Sequence, residues 1–410
     1  MRTLLQIDTC LNSRSTGRIA EQIGVIAQKN DYKCYIAYGR YATKSQNIPI
    51  KIGNKLNTYW HKVETLVFDR DIFGSLYPTK RLIKRIEEIK PDIIHLHNVH
   101  GFYIDIRILF EYLSKKDIPI VWTLHDCWTF TGHCSHFDYI HCDKWKTLCH
   151  HCPQKTSYPM SLLLDNSKNN YLNKRKLFNS VKNITFVPVS YWLESLLKQS
   201  FLSKYPTNVI QNGTDIHTFH RINTPQNQLK KKYNLQNKFI ILGVASIWTP
   251  RKGLQEFIKL SQKLEKDESI VLIGLSKRQI KDLPKGVLGI ERTENVQQLC
   301  EFYNISDVFF NPTWEDNFPT TNIESLACGL PVVTYRTGGS VESVDSNVGW
   351  VINQGKIEDF VQIIRQMRQE NDQTKEQRRT FCRQKAEKFY NKDNVFQQYI
   401  DLYNRILQAK

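Results

Sequence analysis

Apolar residues along the chain fall into two patterns that alternate. Short, almost continuous apolar runs mark buried strands, and stretches in which apolar residues return every three or four positions mark helices. In the first half "TLLQI" (Thr3 to Ile7) precedes helical spacing from about Gly17 to Lys29, followed by "KCYIAYG" (Lys33 to Gly39). The basic amphipathic stretch "PTKRLIKRIEEIK" (Pro78 to Lys90) leads into "PDIIHLH", "IRILFEYLSKK" into "IPIVWTLHD", and a helix near Tyr171 to Ser180 into "ITFVPVS". The second half repeats the scheme with "KFIILGVAS", "GLQEFIKLSQKLEK", "SIVLIG", "NVQQLCEFYNIS", "DVFFNP" and "EDFVQIIRQMRQE". Such alternation predicts an α/β protein of doubly wound parallel sheets, and two runs of it predict two Rossmann-like domains facing a central cleft.

One segment is more polar than its neighbours. "WEDNFPTTNIESLACGLPVV" (Trp314 to Val333) reads as a strand end, a polar loop, a helix stopped by Gly329 and a new buried strand. It puts Asp316 in a loop and Glu324 in the helix, at the carboxyl end of a strand, where open α/β sheets bind ligands. A capped surface helix with ordinary acids is the plain alternative.

At 410 residues the chain is long enough for two cores. No apolar run approaches the roughly 18 residues of a membrane span. The start, "MRTLLQIDTC", reads as a first strand rather than a leader, so the expectation is a cytoplasmic protein. A net charge of +17 points to an anionic partner: a phosphorylated ligand, an anionic lipid surface or nucleic acid. No nucleic-acid module is recognised, and basic and aromatic residues do not cluster on one element, so no nucleic acid is expected.

Several motifs together resemble a known family. "VIQNGTDIHTF" (Val209 to Phe219) is similar to the interdomain hinge of retaining family-4 glycosyltransferases, which have the GT-B fold. "DNFPTTNIE" falls on their signature of two acids separated by seven residues, here Asp316 and Glu324. The first half resembles a narrower group, the colanic-acid-type polysaccharide glycosyltransferases, through "STGRI", "HLHNVHG", "WTLHDCWTFTGHC" and a cysteine cluster after it. The resemblance implies an acceptor-side domain over 1–185 with a Cys-rich insertion at about 127–160, a donor-binding domain over 186–385, and a final helix over 386–410 crossing back to the first domain.

The reaction so implied moves a sugar from a nucleotide-sugar donor of UDP or GDP type to a glycan acceptor on a lipid carrier, at the inner face of the cell membrane. Glu324 would hold the ribose diol. Asp316 would contact the transferred sugar, with Glu315 as the alternative. Arg251 and Lys252 in "TPRKG" would neutralise the diphosphate, since cations at a helix start oppose its dipole and favour an anionic ligand there. Gly17, Phe318, Thr320 and Thr321 complete the donor set, with the two threonine amides near a helix start able to meet phosphate. His125 would act in catalysis, and His97, Asn98, His100, Tyr103 and Asp126 would line the acceptor side. Asp126 would orient the His125 ring or cap the next segment. No catalytic metal is expected. A sugar-nucleotide epimerase or phosphorylase of the same architecture is the second reading, and a basic nucleic-acid-binding protein the third.

Ten cysteines in a cytoplasmic chain argue against disulfides. Cys134, Cys142, Cys149 and Cys152 lie within nineteen residues and end in a C-x2-C pair, which suits a closed structural zinc site. Histidines 133, 136, 141, 150 and 151 make a mixed ligand set an alternative, and free or redox-active thiols remain the other readings.

Overall fold

The computed structural model describes residues 1–222 and 227–409 and divides into two compact units. The first comprises Met1–Gln211 and Val395–Lys410, and the second Asn212–Asn394. The division falls inside "VIQNGTDIHTF". A boundary at 185/186 would cut through a strand of the first sheet, Ile184–Pro188, whose neighbour is Ile120–Leu124.

The first unit holds the strands β1 (Arg2–Asp8), β2 (Tyr32–Tyr38), β3 (Ile48–Lys51), β4 (Ile93–Leu96), β5 (Ile120–Leu124) and β6 (Ile184–Pro188). They form one parallel sheet in the order β3-β2-β1-β4-β5-β6. The second holds β7 (Phe239–Val244), β8 (Glu268–Ile273), β9 (Val287–Ile290), β10 (Val308–Asn311), β11 (Val332–Tyr335) and β12 (Gly349–Ile352) in the order β12-β11-β10-β7-β8-β9. Each unit thus has the doubly wound order in which the chain reverses direction across the sheet between its first and fourth strands. That switch point is where such sheets bind ligands. All residues of β4, β5, β8, β10 and β11 are buried, because helices cover both faces.

Helix Lys392–Gln408 begins in the second unit and lies from Val395 onward in the first. Its Val395, Phe396, Tyr399, Ile400 and Tyr403 recur at helical spacing and pack on Ile19, Ile23, Ile93, Val121 and Val187. Strand side chains alternate faces, so the paired registers Gln6–His95 and His95–Val121 put Gln6, His95 and Thr123 on this same side of the sheet. The Tyr403 hydroxyl stands 2.6 Å from His95 Nδ1, His95 Nε2 stands 2.8 Å from Thr123 Oγ1, and that hydroxyl donates to Tyr399 Oη at 3.1 Å. Burial holds His95 far below the usual histidine pKa, so the ring is neutral and accepts from Tyr403 while donating to Thr123.

The second core is built around Ile241, Leu272, Val308, Phe310 and Val333, with Phe360 stacked on Phe310 at a ring separation of 4.0 Å. Observed helices agree with the spacing to within a few residues at most ends, as with Leu76–Ile89 and Ile357–Gln369. The helix read from Gly253 to Lys266 is shorter, Leu254–Ser261.

Tyr403→Phe leaves His95 Nδ1 buried without its donor. Urea unfolding is expected to show a loss of about 1–3 kcal/mol; an unchanged midpoint and slope would show that the bond contributes nothing to anchoring the last helix.

Candidate functional site

In the second unit three loops converge at the carboxyl ends of β7, β10 and β11. Gly253 ends the turn Pro250–Lys252 at φ +79°, and a Cβ there would lie 2.1 Å from the Pro312 carbonyl oxygen. Only glycine lets these two loops touch. The contact is sealed by Trp314 N donating to the Arg251 carbonyl at 2.8 Å. Gly338, at φ +47°, sits against Asp316 in the same way, its Cβ position 2.2 Å from the Asp316 carbonyl oxygen, while Gly339 N donates to that oxygen at 3.0 Å.

This packing gives the charged residues their partners. Arg251 donates to the Glu315 carbonyl, and Lys252 forms an ion pair with Asp316 Oδ2. Burial lowers the Lys252 pKa more than Asp316 raises it. Glu315 is fully buried, whereas the Asp316 side chain keeps 15% of its surface. Glu324 lies in helix Thr320–Ala327, half-buried, and accepts from the Tyr303 hydroxyl at 3.1 Å. Thr320 and Thr321 open that helix. The Phe318 side chain packs on Tyr390, and its carbonyl accepts from Asn212 Nδ2 at 2.9 Å. Behind the loops lies a buried polar knot that sequence reading missed. Asn311 Nδ2 donates to Asn322 Oδ1 at 2.8 Å, and Asn322 Nδ2 donates to Ser343 Oγ at 3.0 Å.

In the first unit the histidines gather at the ends of β4 and β5. His97 Nε2 stands 3.0 Å from Gln6 Oε1, and its Nδ1 stands 3.2 Å from His125 Nε2. Burial lowers both rings, His97 far below its usual value and His125 to about 4. The Asp126 charge opposes that lowering at His125, while its own hydrogen bonds go to other groups. It pairs with His100 Nε2 at 2.9 Å and receives Trp128 N at 2.9 Å, so it caps the next segment. Burial pushes Asp126 up, but the charge and hydrogen bond of His100, with the His136 ring and Trp128 N, together draw it down to about 2, and the His100 pKa is raised in return.

Two of the expected acceptor-side groups have internal work. Tyr103 is buried and donates to the Asn98 carbonyl at 2.7 Å, and Asn98 N donates to Asp8 Oδ1 at 3.2 Å. Gly17 sits within helix Arg14–Lys29 rather than in the loop before it. A Cβ there would come within 2.8 Å of Cys10 Cβ, so its close approach is to its own chain. Asp8, the last residue of β1, is buried beside it, and burial raises its pKa to about 6. Lys174 also escaped notice in the sequence. It is buried, donates to the Trp128 carbonyl at 2.7 Å over the Trp128 ring, and is lowered to about 7 by that burial.

The cysteine-rich segment forms its own cluster. Cys134 and Cys152 hydrogen-bond through their thiols, and Cys149 Sγ accepts from Gly132 N at 3.2 Å. His133 is fully buried; its Nδ1 is 2.6 Å from Asp69 Oδ1, and its Nε2 has no hydrogen-bond partner. Among the described residues no three His, Cys, Asp or Glu side chains stand in finished metal-binding geometry. Cys300 and Cys328, far apart in sequence, lie 3.7 Å apart through sulfur in the second unit.

A cavity of about 430 Å³ lined by Arg2, Pro91, Asp92, Ile118 and Leu407 lies at the amino ends of β1, β4 and β5. That is the end of the first sheet opposite its histidines, and it carries none of their chemistry.

Comparison with known proteins agrees with this geometry. The family described as Glycosyltransferase Family 4 matches residues 27–218, and that described as Glycosyl transferases group 1 matches residues 225–389. The chain is 24% identical over 339 residues to a protein of Escherichia coli K12 named as the colanic acid biosynthesis glycosyl transferase WcaC, covering 79% of this chain and 80% of that one. Among solved structures, sucrose-phosphate synthase from Thermosynechococcus elongatus superposes with a TM-score of 0.76 at 13% identity over the whole of both chains. Anabaena Alr3699/HepE in complex with UDP-glucose gives 0.68 at 13% identity over 99% of this chain and 100% of that one. The chain belongs to the family-4 and group 1 glycosyltransferases and has their GT-B fold.

Proposed function

We propose that this glycosyltransferase moves a sugar, with retention of configuration, from a nucleotide-sugar donor to a growing cell-surface polysaccharide on a lipid carrier. The observation that carries this reading is the meeting of Arg251 and Lys252 with the Glu315 carbonyl and Asp316 at the carboxyl ends of the adjacent strands β7 and β10, with Glu324 in the helix that follows. A nucleoside diphosphate sugar offers a diphosphate for the two cations and a ribose diol for Glu324. The sugar hydroxyls then suit Asp316, whose partial exposure favours it over the buried Glu315. The amides of Thr320 and Thr321 add donors for phosphate. Similarity to the colanic acid enzyme supports a polysaccharide product, and likeness to a fold that holds UDP-glucose supports a UDP-type donor, with GDP-type donors next.

Retention fits attack from the face that the leaving group departs. The bond from the anomeric carbon to the phosphate oxygen breaks, the bond to the acceptor oxygen forms on the same side, and the acceptor's proton passes to the departing diphosphate. Arg251 and Lys252 offset the charge that develops there. His125 would act on the transferred sugar. A panel of UDP- and GDP-sugars should reveal one that is hydrolysed or transferred. Glu324→Ala should weaken that donor at least about tenfold in calorimetry, the worth of a charge-assisted hydrogen bond. Unchanged affinity in the folded variant would remove Glu324 from the donor site.

A lipid-linked acceptor calls for a membrane-facing surface. Apart from Tyr77 in its first turn, the helix Leu76–Ile89 offers charge, because Leu82 and Ile86 are buried in the core while Lys80, Arg81, Lys84 and Arg85 are exposed. Apolar area lies elsewhere in the same unit. Leu56, Tyr59 and Trp60 on helix Lys55–Phe68 and Leu162 to Leu164 are each more than half exposed. Leu162 N donates to the Leu66 carbonyl at 2.8 Å, which lays the two segments together. No helix among the described residues is long and apolar enough to cross a membrane. The reading is therefore peripheral docking on the cytoplasmic leaflet, the aromatic and leucine residues entering the interface and the lysines meeting anionic lipid. The protein should co-sediment with anionic vesicles in a salt-sensitive way, and Trp60→Ser with Leu163→Ser should abolish this; binding indifferent to both would rule the surface out.

The cysteine cluster supports a structural zinc, with a ligand set different from four thiols. A buried histidine whose Nδ1 meets a carboxylate and whose Nε2 has no partner has the arrangement of a zinc-bound ring and its orienting acid. His133 Nε2 with Cys134, Cys149 and Cys152 makes four ligands, leaving Cys142 outside. The purified chain should carry about one zinc. Both Cys149→Ser with Cys152→Ser and His133→Ala should release it, and Cys142→Ser should not. Absence of zinc, with all of these thiols titrating freely in the native protein, would exclude the site.

A further inference from the structure

The carboxylate that the proposed reading gives to the ribose diol is held by a buried phenol. Tyr303 lies on the helix Val296–Ile305 and Glu324 on the helix Thr320–Ala327, with β10 between them in the chain. Tyr303 is fully buried, and its ring meets Phe219 and Phe309 edge to face at centroid separations of 6.0 and 5.8 Å. A ring packed in this way keeps its hydroxyl at a fixed point. That hydroxyl donates to Glu324 Oε2 at 3.1 Å. Burial and the Glu324 charge both raise the phenol well above its ordinary pKa, so it remains a donor at neutral pH. Glu324 is half-buried, and its helix is fixed at both ends. Asn322 ties the start into the polar knot, and Cys328 N donates to the Glu324 carbonyl at 3.1 Å. A glutamate side chain on such a helix still has several rotamers, and fixing one before a ligand arrives removes part of the ordering cost of binding.

We infer that Tyr303 is a positioning residue that sets the Glu324 carboxylate in the orientation in which it receives the ribose hydroxyls of the donor. The inference rests on the reading that Glu324 holds the ribose diol, and it adds the group that gives Glu324 its direction. An ionised carboxylate accepts in about four directions. Tyr303 takes one of them, on Oε2, and so determines how the plane of the carboxylate is turned. Packing alone does not ask for a phenol. Phenylalanine would fill the same volume without a polar atom to bury, and an unbonded hydroxyl there costs free energy, so the bond to Glu324 is what the hydroxyl adds. Tyr303, Glu324 and the groups that fix them all lie in the second unit.

The test is calorimetric binding of UDP and of 2′,3′-dideoxy-UDP to the full-length protein, with GDP and its dideoxy form alongside. The wild-type protein should bind the ribose form more tightly. Tyr303→Phe keeps the ring and removes the hydroxyl. It should weaken the ribose nucleotide by roughly fivefold, the worth of one hydrogen bond, and leave the dideoxy nucleotide unchanged. Equal weakening of both forms would show a general disturbance of the site, and no weakening in the folded variant would show that the bond does not serve binding; either result overturns the inference. Tyr303→Phe added to Glu324→Ala should cost nothing further, because the phenol acts through that carboxylate, and an undiminished cost in that background also overturns it. The parent reading fails on different results. If the protein binds neither UDP nor GDP, if it binds ribose and dideoxy forms equally, or if Glu324→Ala alone leaves affinity unchanged, Glu324 does not hold the diol and Tyr303 has nothing to position.

Discussion

Two imidazole rings, His95 and His97, lie buried with centroids 4.0 Å apart, and neither can be charged there. A charge on either would have no carboxylate to meet it, and burial together with each ring's histidine neighbours pushes both far toward the neutral form. Neutrality makes each ring one donor and one acceptor, so every hydrogen bond around them acquires a direction. From His95 the order runs outward to Tyr403 and Tyr399 and ties the last helix to the first sheet. From His97 it runs to Gln6 and His125, at the sheet end where ligands bind. One constraint thus orders both the anchorage of the last helix and the histidines at the ends of β4 and β5.

The second unit meets a different demand by different means. Its loops carry cations and acids that must stand close together, and they do so through backbone contact. Gly253 and Gly338 allow carbonyl oxygens to approach where any side chain would collide. The knot of Asn311, Asn322 and Ser343 then holds the strand end, the helix start and the following turn in fixed relation. A satisfied polar network of this kind specifies one arrangement, whereas an apolar core would permit several.

Central strands were legible in the sequence because strands covered on both faces read as unbroken apolar runs. Of the four sheet edges only β6 was, as "ITFVPVS". β3 is "IPIK", largely exposed and carrying Pro49, and β9 and β12 are four-residue strands that each contain a glycine. Helix Lys55–Phe68 was missed because Leu56, Tyr59 and Trp60 point outward and break its amphipathic pattern. At the site, charged residues in loops could be picked out, since spacing and a family resemblance both marked them. Their partners could not. Gln6 is 91 residues from His97, and Asp69 is 64 residues from His133, so only the folded sheet and its connections make them neighbours. Gly17 was misplaced for a related reason: the helix starts three residues earlier than its apolar periodicity indicates, at Arg14.

The Lys252–Asp316 pair bears on how a donor would enter. Lys252 is half-buried, and a partly desolvated lysine is favoured where an anion stands beside it. The diphosphate of an incoming donor carries more negative charge than a single carboxylate, so it competes for Lys252 from a stronger position. On the proposed reading, drawing Lys252 toward phosphate would free Asp316 from its ion pair as a sugar arrives with hydroxyl groups to donate. Glu315 cannot make this exchange, because it is fully buried and its carbonyl is engaged by Arg251 and Thr313. Two adjacent acids that look interchangeable in sequence thus stand in different surroundings, one held inside the loop and the other paired with a lysine at its surface, where on the proposed reading a sugar would meet it.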